Sequence, residues 1–388
     1  MKKIGVYSSV FILIAVVLLN GCRSSVTPTS PAPVRPAATQ EIKTPVKPEW
    51  EQRWDKVVAG AKQEGRITVY GEVGPILKEK LVEGFQKKYG VEIEYVVGRP
   101  PEVAQRYLQE AAANIHLADL FITGQTTTPT ILKPRGVLSP VKPQLILPEV
   151  LDLNAWPDNK LPFLDKDELV LALVAAYRSF IVVNTDLVKE GEVSSYIDLL
   201  DPRWKGKITL IDPTTPGSGG SWVAYVMLKT MGREEGEKYL RQLATQELAI
   251  TRDTRIHVET VARGKYAIAI GALPQVVADL AQAGSPIKWA KMKEGGLVLP
   301  GSFAAALPQK PQHPNGSTLL LNHLLAKDGQ LALSQSTREP ARRLDVARTN
   351  LLPGTVAQPG DKITWLDEDF IVTEPKFYAL SKQIFDIK

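Results

Sequence analysis

The chain has 388 residues, with 47 Lys plus Arg against 42 Asp plus Glu and a formal net charge of +5. That length predicts two or three compact units, and a hydrophobic content of 44% with 23% charged residues excludes wholesale disorder and a polytopic membrane protein. Basic residues are interspersed with acidic ones, which argues against strong nucleic-acid binding, and a single cysteine, Cys22, excludes an intrachain disulfide, a CxxC redox pair or a cysteine-rich zinc site.

Lys2 and Lys3 precede the apolar run Val10–Leu19, which is short for a membrane span but suits the core of a signal peptide. The run leads into Leu19-Asn20-Gly21-Cys22, which resembles a bacterial lipobox. The resemblance implies a signal peptide over residues 1–21 and a lipid on the Cys22 thiol. Several acyl chains on one residue would anchor the protein stably, where one would not. Residues 23–50 hold six prolines among Ser, Thr and Ala, a composition that cannot build a core and predicts an extended tether over 22–50.

From Trp50 the pattern changes. Trp54, Val57, Val58 and Ala61 share a helical face, and Gly65 stops it. Ile67–Tyr70 predicts a strand, Gly71–Gly74 a tight loop, and Pro75 the first turn of a helix closed by Gly90. Val91–Val97, a helix over 101–113 and Asp119–Ile122 complete a strand–helix–strand–helix–strand series, which implies parallel pairing with right-handed crossovers. A second series follows, with strands at 180–183, 207–211, 266–270 and 297–299, a helix from Ser221, and further helices at 319–325 and 330–335. Two α/β units joined by strands would leave a cleft, with ligands beyond the carboxyl ends of the strands.

The stretch Asp198-Leu-Leu-Asp-Pro-Arg-Trp-Lys-Gly-Lys-Ile208, followed by Asp212-Pro213-Thr214, resembles a signature of bacterial extracellular solute-binding proteins. The branch is the ferric-iron or AfuA-like one, of the type 2 periplasmic-binding-protein fold. Ile67–Gly74, Ala118–Phe121, Val182–Asp186, Ala262–Ile268, His313–Asn315 and Lys327–Gln330 match other segments of the family in order. The resemblance implies an α/β protein of two lobes, each a mostly parallel sheet flanked by helices, with a ligand cleft at the hinge. By it, lobe one is 51–176 plus 299–350 and lobe two 177–298 plus 351–388. It also implies a monomer that captures a small solute outside the cytoplasmic membrane, closes around it, and delivers it to an ABC permease, with no cofactor.

Iron-binding members use a twin-tyrosine pair helped by His and Glu. Here Gly271-Ala272-Leu273-Pro274-Gln275 stands where that pair is expected, no Tyr-Tyr pair occurs, Gly124 occupies the acidic position, and Glu72 or a neighbour replaces the first-loop His. No metal site is therefore expected. The loops point instead to an anion. Thr214, Thr215, Gly217, Ser218 and Gly219 precede an apolar helix whose N-terminal amides, with nearby hydroxyls, would hold negative charge. Gln125 and Thr126 repeat the arrangement in the other lobe, and Gly71 and Glu72 resemble it. Arg99, Arg178, Arg252 and Arg255 could clamp a carboxylate or phosphate, although an arginine in such a place is more often a solvated surface residue. Tyr177 offers a hydroxyl or a stacking face, Gln275 an amide beside the second cleft wall, and Trp222 a reporter of closure if it lies near the cleft.

Ferric ion is the alternative ligand. A solute-sensing lipoprotein for a signalling receptor, or an extracytoplasmic enzyme, are the alternatives of another class. The chain contains no Walker loop, no HExxH and no GxSxG, so no enzyme signature is present.

Overall fold

The computed structural model describes residues 47–71, 75–299 and 303–387. The leader, Cys22, the tether up to residue 46 and Glu72 lie outside the described residues. The first described helix, Glu49–Glu64, ends where Gly65 adopts a left-handed φ of 77° and returns its N–H to Ala61 O at 2.9 Å.

Fourteen strands follow among the described residues: β1 (Arg66–Gly71), β2 (Glu92–Val97), β3 (Leu120–Thr123), β4 (Leu138–Ser139), β5 (Val170–Ala172), β6 (Ala176–Arg178), β7 (Ile181–Asn184), β8 (Ile208–Ile211), β9 (Ala249–Thr251), β10 (Ile268–Ile270), β11 (Ile287–Trp289), β12 (Gly296–Leu299), β13 (Ala304–Pro308) and β14 (Ile363–Trp365). They form three sheets. The first has the order β2-β1-β3-β13-β4, with β5 also on β13. Helices Pro75–Tyr89 and Pro100–Ala112 make the crossovers between the parallel strands β1, β2 and β3. β13 then inserts antiparallel beside β3, a strand from far along the chain that local periodicity does not reveal.

Alternation along these strands fills both faces of the first sheet. Leu120, Ile122, Ala305 and Leu307 pack on one side with helix Pro314–Leu325, while Tyr70, Phe121, Ala304 and Ala306 pack on the other with Tyr107. The second sheet, β11-β7-β10-β8-β9, combines parallel β10-β8-β9 with antiparallel β7 and β11. Ile181, Val183, Leu210, Ile270 and Trp222 form one core on it, and Val182, Ala269, Val258 and Val277 another. The C-terminal Phe370, Ile371 and Phe377 return to the core that holds Trp222. The two sheets therefore carry separate cores, which defines two lobes.

A third, small sheet, β14-β12-β6, joins them. The chain leaves the first sheet through β6, returns through β12, and runs through β14 back toward the second core. Gly296 in β12 is required there, because a Cβ would fall 2.5 Å from both Arg178 O and the Tyr177 ring.

Buried polar groups fix register inside the lobes. Asp119, fully buried, accepts from His313 N at 2.6 Å through Oδ1, while its Oδ2 accepts from Thr68 N at 2.8 Å and pairs with His313 Nδ1 at 2.7 Å. It thus ties β1 to the start of helix Pro314–Leu325, with 194 residues of sequence between Asp119 and His313 alone. Two other histidines are core residues. His257 lies against Thr209 Oγ1, and His323 between the rings of Phe85 and Tyr89. Burial pushes each down to about 4, with Lys88 adding to the effect at His323.

Because both histidines are depressed in the folded state, the unfolded chain binds more protons between about pH 6.5 and 4. Stability is fully present above about pH 6.5 and falls as pH drops through that window, by roughly 3 kcal/mol per histidine. Urea unfolding at pH 7.5, 5.5 and 4.5 checks this. The midpoint should fall with acidification, and less steeply in His257→Gln/His323→Gln; an identical slope in that variant would refute the assignment.

Candidate functional site

In the second lobe, the loop after β8 and the turn after β10 meet. Helix Ser218–Tyr225 begins without a side-chain cap, after Gly217 at φ 144°. Ser218 Oγ donates to Gly271 O at 2.5 Å, which docks the helix start onto the end of β10. A Cβ on Gly219 would meet Ile211 O at 2.3 Å, so only glycine lets the helix start this close to β8. Asp212 organises the loop: its Oδ1 accepts from Thr214 N at 2.8 Å and Thr214 Oγ1 at 2.6 Å, and its Oδ2 from Arg252 Nε at 2.7 Å. Burial works to raise this carboxyl's pKa, but the Thr214 and Arg252 hydrogen bonds outweigh it and hold it below its ordinary value. Thr214, Gly217, Ser218, Gly219 and Arg252 are therefore brought together, with Thr215 exposed at the loop's tip.

In the first lobe, β1 ends at Gly71, opposite Ile122 of β3. Beyond β3, Thr123 and Thr128 share a hydrogen bond between hydroxyls at 2.6 Å, and Thr126 O accepts from Thr130 N and Oγ1. Gln125 Oε1 is buried with no hydrogen-bond partner among the described residues.

Tyr177 and Arg178 lie in β6, the strand that crosses between the lobes. Tyr177 pairs with Val298 of β12 and its phenol is buried, which raises its pKa. Arg178 has a side chain 14% exposed. Its Nη2 reaches Glu339 Oε1 at only 3.4 Å, and its Nη1 is buried without a partner among the described residues. Burial lowers its pKa, and Glu339 opposes the shift. A buried guanidinium with an unfilled donor is a costly arrangement, and a ligand anion would relieve it.

The structure does not bring the remaining predicted residues to this cluster. Arg99 is a solvated residue at the start of helix Pro100–Ala112, chelating Glu102, and Arg255 pairs with Glu259 at 2.7 Å on an exposed helix face. Gln275 donates to Asp279 at 2.7 Å, also at the surface. Trp222 is wholly buried against Tyr196, so it senses the core of lobe two and not a cleft wall.

Sequence reasoning missed two clusters. Glu374, buried, accepts from Ser221 Oγ at 3.2 Å and Tyr378 Oη at 2.9 Å behind the helix start, and burial raises its pKa despite both bonds. Lys133 meets Asp165 and Asp167 at 2.8 Å and Glu368 at 2.5 Å. Burial would lower this lysine's pKa, but the three carboxylates outweigh it and raise it. Lys133 follows Leu132 of the first lobe's core, while Glu368 precedes Phe370 of the second's, so the ion pair bridges the lobes. Their separation of 235 residues leaves no local signal. Among the described residues, no group of three or more His, Cys, Asp or Glu side chains is placed to hold a metal ion.

Two α/β lobes joined by shared crossing strands, with loops at the strand ends beside the hinge, define a type 2 periplasmic binding protein. Solved structures agree in fold. AfuA of Actinobacillus pleuropneumoniae, solved with fructose-6-phosphate, superposes with a TM-score of 0.60 at 18% identity, covering 83% of this chain and 97% of that one. Ferric iron-binding protein A of Mannheimia haemolytica, in an open conformation, gives 0.65 at 17% identity, covering 83% and 98%. The Trichodesmium protein IdiA (FutA), in complex with iron and citrate, gives 0.65 at 19% identity with the same coverage. The chain belongs to the family of bacterial extracellular solute-binding proteins, which matches residues 80–356. It is also 24% identical over 278 residues to an uncharacterized protein of Haemophilus influenzae, covering 71% of this chain and 77% of that one. The chain is thus an extracytoplasmic protein that binds a small solute.

The interlobe bridge predicts graded losses of stability. Lys133→Met strands the fully buried Asp165 carboxylate and should cost about 3 kcal/mol, whereas Glu368→Gln removes one of three partners and should cost about 1 kcal/mol. Urea titration of both variants should give that order; equal midpoints for Lys133→Met and the parent chain would contradict it.

Proposed function

We propose that the chain is the solute receptor of an ABC importer and that its solute is a small organic anion, a carboxylate or a phosphorylated compound. The observation that carries this reading is the buried Arg178 guanidinium on the crossing strand, with Nη1 unfilled. The uncapped helix start at Ser218–Gly219 supports it from the second lobe. An anion that touches both lobes gains more contact in the closed form than in the open one, and so shifts the hinge equilibrium toward closure. The closed form is then the one the permease accepts. The lobes are assigned as 51–176 plus 299–350 and 177–298 plus 351–388, acting as a monomer without catalysis. Ferric ion is the second reading, favoured by the iron-binding proteins among the fold neighbours.

The deciding experiment is to purify the full chain without added ligand, denature it, and analyse the released solute by mass spectrometry and elemental analysis. A stoichiometric organic anion is expected. Stoichiometric iron with no organic anion would overturn the reading in favour of the second. With the released anion in hand, Arg178→Met should weaken its binding about 100-fold while the circular dichroism spectrum stays that of the parent. Undiminished affinity would remove Arg178 from the site.

We further propose that Cys22 carries the lipid that holds the protein on the outer face of the cytoplasmic membrane. In cells, the parent chain should sediment with membranes and label with a radioactive fatty acid. Cys22→Ala should lose the label, and a labelled Cys22→Ala chain would disprove the assignment.

A further inference from the structure

On the second lobe, away from the loops after β8 and β10, a cavity of about 640 Å³ opens between the segment after β7, the segment around β11 and the approach to β14. Five lysines from these three segments surround it: Lys189, Lys288, Lys291, Lys293 and Lys362. Their charge is poorly compensated. Lys288 reaches Glu190, and Lys291 reaches Asp361, each only at 4.0 Å. Lys189, Lys293 and Lys362 have no carboxylate within 4.0 Å among the described residues. Glu294, the acid next to Lys293, is turned inward, where its Oε1 accepts from Ser195 Oγ at 2.6 Å and Tyr196 N at 2.9 Å. The acid that sequence proximity offers to the lysines is therefore spent in the core.

The floor is apolar: Val183, Val188, Val193 and Met292 are buried core residues. Charges above such a floor interact through a lower effective dielectric than charges in open water. Like-charged ammonium groups gathered there repel one another, and a multiply charged anion converts that repulsion into attraction. Lysine ammonium groups bind phosphate as point charges, and several of them from different segments can meet its several oxygens together. The volume lies in the range of small-molecule sites and leaves room for a body beyond the phosphate.

We propose that this lysine-rimmed cavity is a second binding site, for a phosphate-bearing anion, separate from the solute site at the hinge. The phosphate belongs either to a soluble phosphorylated molecule or to an anionic lipid headgroup. The site does not depend on Arg178, so its fate and that of the solute reading can be told apart.

The test uses the full-length chain in neutral detergent with two probes, inorganic pyrophosphate and micelles doped with phosphatidylglycerol, followed by titration calorimetry. The parent chain should bind at least one probe, more weakly as salt is raised from low to high. Lys288→Glu/Lys291→Glu/Lys362→Glu should lose at least tenfold in affinity. The control Lys56→Glu/Lys87→Glu/Lys382→Glu, with equal charge change on other exposed lysines, should lose less than threefold, and Arg178→Met should bind the probe as the parent does. Binding of pyrophosphate with that pattern supports the site and names a soluble ligand. Binding of the doped micelles alone, with the same pattern, supports it and names a lipid headgroup. Binding of neither probe, or equal losses in the cavity and control variants, overturns the proposal.

Discussion

The architecture depends on how the chain crosses between its lobes. β6, β12 and β14 are only three or four residues long, yet they pair with one another and form a sheet belonging wholly to neither lobe. Two contacts make this junction stiff. The Tyr177 ring lies directly against Gly296, and Tyr177 N donates to Thr355 O at 2.9 Å, clamping the segment before β14 onto the crossing strand. Immediately beyond β6, Phe180 is fully buried at φ 70°, a left-handed conformation that a bulky L-residue adopts only when its surroundings impose it. The stacking of its ring near Tyr225 and the bond from Gly271 N to its carbonyl supply that imposition. Rotation of the lobes must therefore be absorbed in the few residues flanking this sheet, since the cores on either side are close-packed.

Charge is handled differently in the two lobes and at the junction. Asp119 and Asp212 are each satisfied by several donors, so both carboxylates are structural anchors. Lys133 is satisfied by three carboxylates drawn from both lobes, so it adds an electrostatic contact to the covalent crossings. Arg178 alone, among the arginines predicted to meet a ligand, is buried and only partly satisfied. Exposed Arg99 and Arg255 already hold carboxylates one helical turn away, where water solvates and screens the pairs.

The parallel parts of the fold were readable because their signals are local. A Gly closes the first helix, Pro75 opens the next, and apolar runs mark β1, β2, β3, β8 and β10 within a residue or two of their observed limits. β13 and the crossing strands β6 and β14 were not readable as such. They are short, and partners distant in the sequence define them. Helix Pro314–Leu325 is buried on every side from Gly316 onward and mixes polar with apolar residues there, so amphipathic periodicity located only its second half. The site was legible in the same measure. The loop that gathers Asp212, Thr214, Ser218 and Gly219 could be found from its Gly/Ser/Thr composition, whereas the state of each arginine depends on its neighbours in space. Nothing in the sequence separates Arg178, buried beside Glu339, from Arg252, whose side chain is 75% exposed on Asp212.

That distinction bears on which solute the hinge can hold. An exposed arginine gives an anion little, because water already solvates it and screens the pair. The desolvation of Arg178 is built into the fold, so an anion placed against Nη1 supplies the hydrogen bonding that this donor otherwise lacks. A bare trivalent cation in the same place would face the opposite situation, a fixed positive charge in a dry setting with no counter-charge gained. For the ferric reading to hold at this hinge, an anion must stand between the metal and Arg178. Both readings then require the same element, a negatively charged group held against the crossing strand, and they differ only in whether a metal accompanies it.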